Sequence, residues 1–339
     1  MRLLILGTGS MAHNHAMHFG AIKEVTIVAA VDPNLIRLQA FGLTHSIPRL
    51  FNTLEEAIAW GEFDAVANAT PDASHCVTTL QALDADKHVF CEKPLATNYT
   101  DALAMVTAAQ QSGKIGMVNL SYRNIAELSQ ARDMIRASVI GTPHHVEASY
   151  LQSWLVSKHW GDWRSDPAWL WRLSTKHGSN GVLGDVGIHI LDFVTFGSDL
   201  DIDAISCRLK TFDKASENRI EGYELDANDS FVMTTSFSNG ALGVVHASRW
   251  ATGRINELKL CVYGDKGGLE LRHWHQGTSL AICTGADVDD GNWQQVEAPA
   301  VRTTYQCFVD AVMKGDTQEP SFEQAAKIQR LLDIAMSSM

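Results

Sequence analysis

Nowhere in this sequence do apolar residues run on for the roughly 18 positions that a membrane-spanning helix needs. The opening run, residues 3–6, is too short for the apolar segment of a secretion signal, and it passes straight into glycine with no small-residue cleavage site. Cysteine is sparse: Cys76, Cys91, Cys207, Cys261, Cys283 and Cys307 form no C-x-x-C pair, and none stands at zinc-finger spacing from histidine. Scattered thiols in a long chain are usually buried and reduced, and together these absences lead us to expect a cytoplasmic protein. Basic residues are the minority, 27 against 39 acidic, for a formal net charge of -12. A general nucleic-acid or anionic-membrane binder carries a basic stripe instead, so neither partner is expected. No internal repeat, low-complexity tract or long linker interrupts the chain.

What is present is ordinary globular material. Hydrophobic residues make up 45% of 339 positions, and at roughly 150 residues per domain the length suggests about two domains. Residues 3–6, 25–31, 64–69, 87–91 and 115–119 read as buried strands, with helical patterns up to about residue 19 and over 54–60, 75–83 and 99–111. Such alternation predicts a parallel, doubly wound sheet with right-handed crossovers. Beyond it, residues 146–151, 204–212, 231–236, 241–247, 258–263 and 269–272 read as strands parted by turns such as Asn239-Gly240 and Lys266-Gly267-Gly268. Hairpin connections predict an antiparallel or mixed sheet. A helix is expected from about Gly184, and two more over 304–313 and 321–336 close the chain. The expected fold class is α/β with a boundary near Arg123, giving domains 1–122 and 123–339.

The strongest local signal is Gly7-Thr8-Gly9-Ser10-Met11-Ala12, placed between the first strand and the first helix. The first glycine permits a tight turn, the second admits a pyrophosphate to the backbone, and Ala12 packs helix on strand. The free N–H groups at the helix start then hold the phosphates. Asp32, at the end of the second strand, can accept hydrogen bonds from a ribose 2′-hydroxyl and repel a 2′-phosphate, which favours NAD over NADP. Arg37 leaves NADP open, since it could pair with that phosphate. No histidine group reads as a metal site, because acidic or thiol partners are not correctly spaced.

Three further segments carry a resemblance: Thr70-Pro71-Asp72-Ala73-Ser74-His75, Cys91-Glu92-Lys93-Pro94-Leu95, and residues 181–192 with their Asp185-x-Gly187-x-His189 core. With the glycine loop they are similar to the glucose-fructose oxidoreductase / inositol dehydrogenase / rhizopine catabolism (Gfo/Idh/MocA) family over nearly the whole chain. The resemblance implies a Rossmann domain followed by an α/β domain whose large, mostly antiparallel open sheet makes a homodimer or homotetramer interface. It also implies Lys93, Asp185 and His189 as the catalytic set. Alcohol oxidation needs a base for the hydroxyl proton while hydride leaves carbon. A histidine suits that role, so His189 is expected as acid/base, Lys93 as electrostatic and proton-relay partner, and Asp185 as hydroxyl acceptor and orienter. Asp185 and His189, four apart, share a helix face.

Ligands bind at the carboxyl edge of a doubly wound sheet, so Thr70, Pro71, His75, Glu92 and Lys93 join Gly7, Gly9, Ser10, Met11 and Asp32 as expected cofactor contacts. His15 matches a recurrent family histidine, with packing as its alternative. Arg123, Gln152, Trp171 and Arg172 are expected, with Asp185 and His189, on the substrate side. Tyr150 to Leu155 and Trp171-Arg172 resemble members acting on sugars or cyclic polyols, whose apolar ring faces suit tryptophan. For most of the five tryptophans from Trp154 to Trp171, a hydrophobic plug at the domain or subunit interface is the better reading. The expected activity is an NAD(P)-dependent sugar or polyol dehydrogenase. The alternatives are a non-enzymatic NAD-sensing regulator and an NAD-dependent glycosidase of the same fold.

Overall fold

Six short strands, β1 (Arg2–Leu6), β2 (Thr26–Val31), β3 (Arg49–Phe51), β4 (Ala65–Asn68), β5 (His88–Cys91) and β6 (Gly116–Val118), form one sheet in the order β3-β2-β1-β4-β5-β6. Every pairing in it is parallel, which is the strand order of a Rossmann fold. Helices α1 (Ser10–Gly20), α2 (Leu35–His45), α3 (Leu54–Trp60), α4 (His75–Asp84) and α5 (Tyr99–Ser112) connect the strands. β1 and β4 carry almost only buried apolar residues, as strands covered on both faces must. This computed structural model describes residues 1–316 and 319–337.

α2 and β3 were not legible in the sequence. α2 buries Leu38 and Phe41 while Ile36 and Leu43 point outward, so its apolar residues do not form one stripe. Asn34 caps it by accepting from the Arg37 N–H at 3.1 Å.

The second unit begins with α6 (Ala126–Arg136) and contains an eight-stranded sheet. Its strands are β7 (Pro143–Leu151), β8 (Ile202–Lys210), β11 (Ser230–Phe237), β12 (Leu242–Ser248), β13 (Glu257–Gly264), β14 (Gly267–Trp274), β15 (Gly277–Thr284) and β16 (Gln294–Gln295). They run in the order β16-β15-β14-β13-β7-β12-β11-β8. Only β7 and β12 pair in parallel, so the sheet is mixed and mostly antiparallel. A small hairpin, β9 (Arg219–Ile220) and β10 (Tyr223–Glu224), stands apart. A one-turn helix α7 (Pro167–Leu170) precedes the longer α8 (Ile188–Ser198), and α9 (Asp287–Asp290) follows β15. The expected helix near Gly184 is present in a modified form: residues Leu183–Gly187 make one π-helical turn that leads into α8.

The domain expectation needs correcting at its far end. Helix α10 (Thr304–Lys314) and most of α11 (Phe322–Ser337) return to the first unit, which comprises Met1–Asn124 and Arg302–Arg330. Tyr305, Phe308 and Val309 of α10 are buried in one core cluster with Leu3, Phe19 and Phe90. The parallel sheet needs an apolar cover beyond its own crossover helices. The first unit's leading segment ends at Asn124, so Arg123 belongs to it.

Candidate functional site

In the first unit the glycine loop has the geometry that its sequence demands. Gly7 has φ +86°, and a Cβ there would stand 2.6 Å from the Ala69 carbonyl oxygen, so no other residue fits. A Cβ on Gly9 would meet no described atom within 4 Å. Gly9 itself caps α1 without a side chain, in contrast to Asn34, Thr53 and Asn98 on α2, α3 and α5. The first N–H groups of α1 therefore face a space that side chains leave open, the arrangement a pyrophosphate requires. Ser10 and Met11 are exposed beside it.

Asp32 is buried at the end of β2 and accepts from the Thr8 N–H and hydroxyl, both at 2.8 Å, and from the Asn34 N–H at 2.8 Å. Arg37 adds a fork, Nη2 to Oδ1 at 2.9 Å and Nε to Oδ2 at 3.2 Å. Burial pushes the carboxyl up, but these hydrogen bonds, led by Arg37, hold it below the usual range. The residues at this edge thus fit a dinucleotide: an open helix start for the phosphates and an ionised carboxylate for the ribose.

The loops after β4 and β5 lie at the same carboxyl edge of the sheet, and Thr70, Pro71 and Lys93 are at least partly accessible there. Thr70 is fixed by its hydroxyl donating to Asn68 Oδ1 at 2.7 Å. Glu92 and His75, also expected as cofactor contacts, are buried and, like Asp32, hydrogen-bonded to protein groups. Glu92 takes the His15 imidazole at 3.0 Å, the Asn119 amide at 2.7 Å and the Lys93 N–H at 3.2 Å. Burial raises its carboxyl and these partners, His15 first, more than offset that. His75 holds two backbone carbonyls. His15 thereby gains a role in holding Glu92. Arg123 is buried and donates to Gln324 at 3.0 Å.

In the second unit Asp185 lies on the π-helical turn and His189 in the first turn of α8, both half-buried. Such turns recur at functional sites because they re-aim side chains within a helix. Asp185 Oδ1 accepts from Arg172 Nη1 at 3.2 Å and Oδ2 from Arg249 Nη2 at 3.0 Å. Arg249 is wholly buried at the end of β12, donates also to the Arg172 and Gly181 carbonyls at 3.2 and 3.3 Å, and lies 4.8 Å from the centre of the Trp154 ring. Burial draws Arg249 below the ordinary arginine value, opposed by Asp185 and Asp229, yet a guanidinium stays charged. Sequence reasoning missed this residue. Its only signal is a cation directly after an apolar strand, which on its own reads as a strand-end arginine.

Trp154 and Trp163 are buried with Leu155, Leu170, Leu173 and Leu225 in a core cluster of the second unit. Trp171 is exposed, with the Arg172 guanidinium 4.9 Å from its ring centre. Gln152 is buried; its amide donates to Asn256 at 2.7 Å and accepts from the Trp154 indole at 3.3 Å.

Comparison with known proteins agrees with both units. A family model described as "Oxidoreductase family, NAD-binding Rossmann fold" matches residues 1–120, and one described as "GFO/IDH/MocA C-terminal domain" matches residues 128–270. The chain belongs to the Gfo/Idh/MocA family of oxidoreductases. It is similar to levoglucosan dehydrogenase of Pseudarthrobacter phenanthrenivorans, 25% identical over 84% of this chain and 77% of that protein. It is also similar to D-glucoside 3-dehydrogenase of Escherichia coli, 26% identical over 80% of this chain and 77% of that one. A solved structure of levoglucosan dehydrogenase in complex with NADH and levoglucosan superposes with a TM-score of 0.85 at 22% identity, covering 100% of this chain and 96% of that chain, and so shares the fold.

Proposed function

We propose that the protein moves a hydride between NAD(H) and a hydroxyl or carbonyl carbon of a sugar or cyclic polyol. The observation that carries this reading is Asp185 fixed between Arg172 and Arg249, four residues ahead of His189, in a chain of an NAD-binding oxidoreductase family. When bound, the nicotinamide supplies or accepts the hydride. His189 takes the proton of the substrate hydroxyl, or returns it in reduction. Lys93 stabilises charge developing on that oxygen and relays the proton. Asp185 is the orienter: a carboxylate that Arg172 and Arg249 hold in place presents acceptor oxygens to a substrate hydroxyl.

The substrate class follows from the relatives, which act on levoglucosan and glucosides by their names, and from exposed Trp171 backed by Arg172. Asp32, ionised and buried, supports NAD over NADP. A second copy of this chain is the proposed partner, as a homodimer or homotetramer through the eight-stranded sheet, whose outward residues Val232 and Leu242 are exposed. The six free cysteines accord with a reducing, cytoplasmic setting. The test is to follow nicotinamide absorbance with purified protein across anhydrosugars, glycosides, aldoses and cyclitols. Turnover with at least one of them is the expected result, and none with any would contradict the reading.

A further inference from the structure

His75 opens α4 with its imidazole out of reach of solvent, and both ring nitrogens meet backbone carbonyl oxygens. Nδ1 is 2.7 Å from the Pro94 oxygen and Nε2 is 2.9 Å from the Thr70 oxygen. A carbonyl oxygen only accepts, and a neutral imidazole has one N–H. In the neutral ring one of these two close contacts would set lone pair against lone pair. The imidazolium satisfies both.

The two carbonyls belong to different loops. Thr70 follows β4 and Pro94 follows β5, and those strands are hydrogen-bonded neighbours. Pro94 is also the residue after Lys93. We infer that His75 is a positioning residue, held as an imidazolium, which straps the Thr70 loop to the Lys93-Pro94 loop and fixes where Lys93 is presented. The role in catalysis rests on the function proposed above; the charge state of the ring does not.

The surroundings favour the charged ring. Burial alone would lower its pKa, but the Cys91 side chain on β5, the Pro94 carbonyl and Asp72 in the turn before α4 together raise it to about 10. The other titratable groups near in the chain are Cys76 on α4, whose thiol burial pushes up, and Glu92, which is turned toward His15. Lys93 is the cation on the strapped loop.

The test uses the full-length protein labelled with nitrogen-15 at histidine. At about pH 8.5, two units above the ordinary histidine value, one ring of the fourteen histidines should still show both nitrogens protonated, and its signal should vanish in His75→Asn or His75→Gln. If no ring is doubly protonated there, or if that signal survives both substitutions, the inference is overturned. Its catalytic half is read separately: His75→Gln should lower kcat roughly tenfold with KM for the sugar within about twofold, the mark of a lost transition-state placement. An unchanged kcat beside a confirmed imidazolium would refute the positioning role. Wild-type protein without turnover on any substrate would defeat the proposed function and, with it, that role, while the nitrogen-15 result would still decide the charge state.

Discussion

The Arg249 guanidinium, with no exposed surface, reaches from the end of β12 to donate to Asp185 Oδ2, on the π-helical turn before α8, at 3.0 Å. Arg172 holds the other oxygen at 3.2 Å, so the carboxylate is anchored by two cations. The proposed division of labour, His189 for proton transfer and Asp185 for orientation, builds on this anchoring.

Replacing Arg249 with methionine should destabilise the protein by about 3 kcal/mol, because Asp185 loses one of its two anchoring cations and two carbonyls each lose a donor inside the fold. Arg249→Lys should recover only part of this, for an ammonium cannot span the same fork of acceptors. Urea unfolding midpoints check both; equal midpoints for wild type and Arg249→Met would contradict the anchoring role.

The pH dependence of stability has two separate flanks. Glu92 is held below its ordinary value of 4.5, so its contribution is complete above about pH 4.5 and is lost as pH falls through its folded value. His75 is raised from 6.5 to about 10. Its contribution is complete below about pH 6.5 and declines as pH rises toward 10. Urea titrations should show Glu92→Gln flattening the acid side and His75→Gln the alkaline side. A mutant whose slope matches wild type on its own side would remove that group from the account.

Cofactor choice should respond to Asp32. Its removal deletes the charge that repels a 2′-phosphate and releases Arg37, now forked onto the carboxylate, to meet one. Asp32→Ala should move the kcat/KM ratio toward NADP by about 10- to 100-fold. A wild-type preference for NADP would refute the assignment.

The Rossmann half was readable because its signals are local: short apolar strands, a glycine turn and the Glu92-Lys93-Pro94 step after β5. Legibility failed where placement depends on distant chain. Tyr305 and Phe308 look like one face of a closing helix, and nothing local says that they complete the core around Phe90. His75 and Glu92 occupy motif positions, so a contact role was expected; only the three-dimensional partners Pro94, Thr70, His15 and Asn119 turn them into supports. Arg249 belongs to no motif and is visible only as the donor that Asp185 faces.

The central claim, that Lys93 and His189 serve hydride transfer on a sugar or cyclic polyol, is tested most directly by Lys93→Ala. Its NADH dissociation constant and single-turnover rate should be measured beside those of the wild type, with a substrate that the wild type oxidises. The account predicts a rate lower by several orders of magnitude, about 10³-fold or more, with NADH affinity changed by less than about tenfold. A Lys93→Ala protein that turns over at the wild-type rate would contradict it.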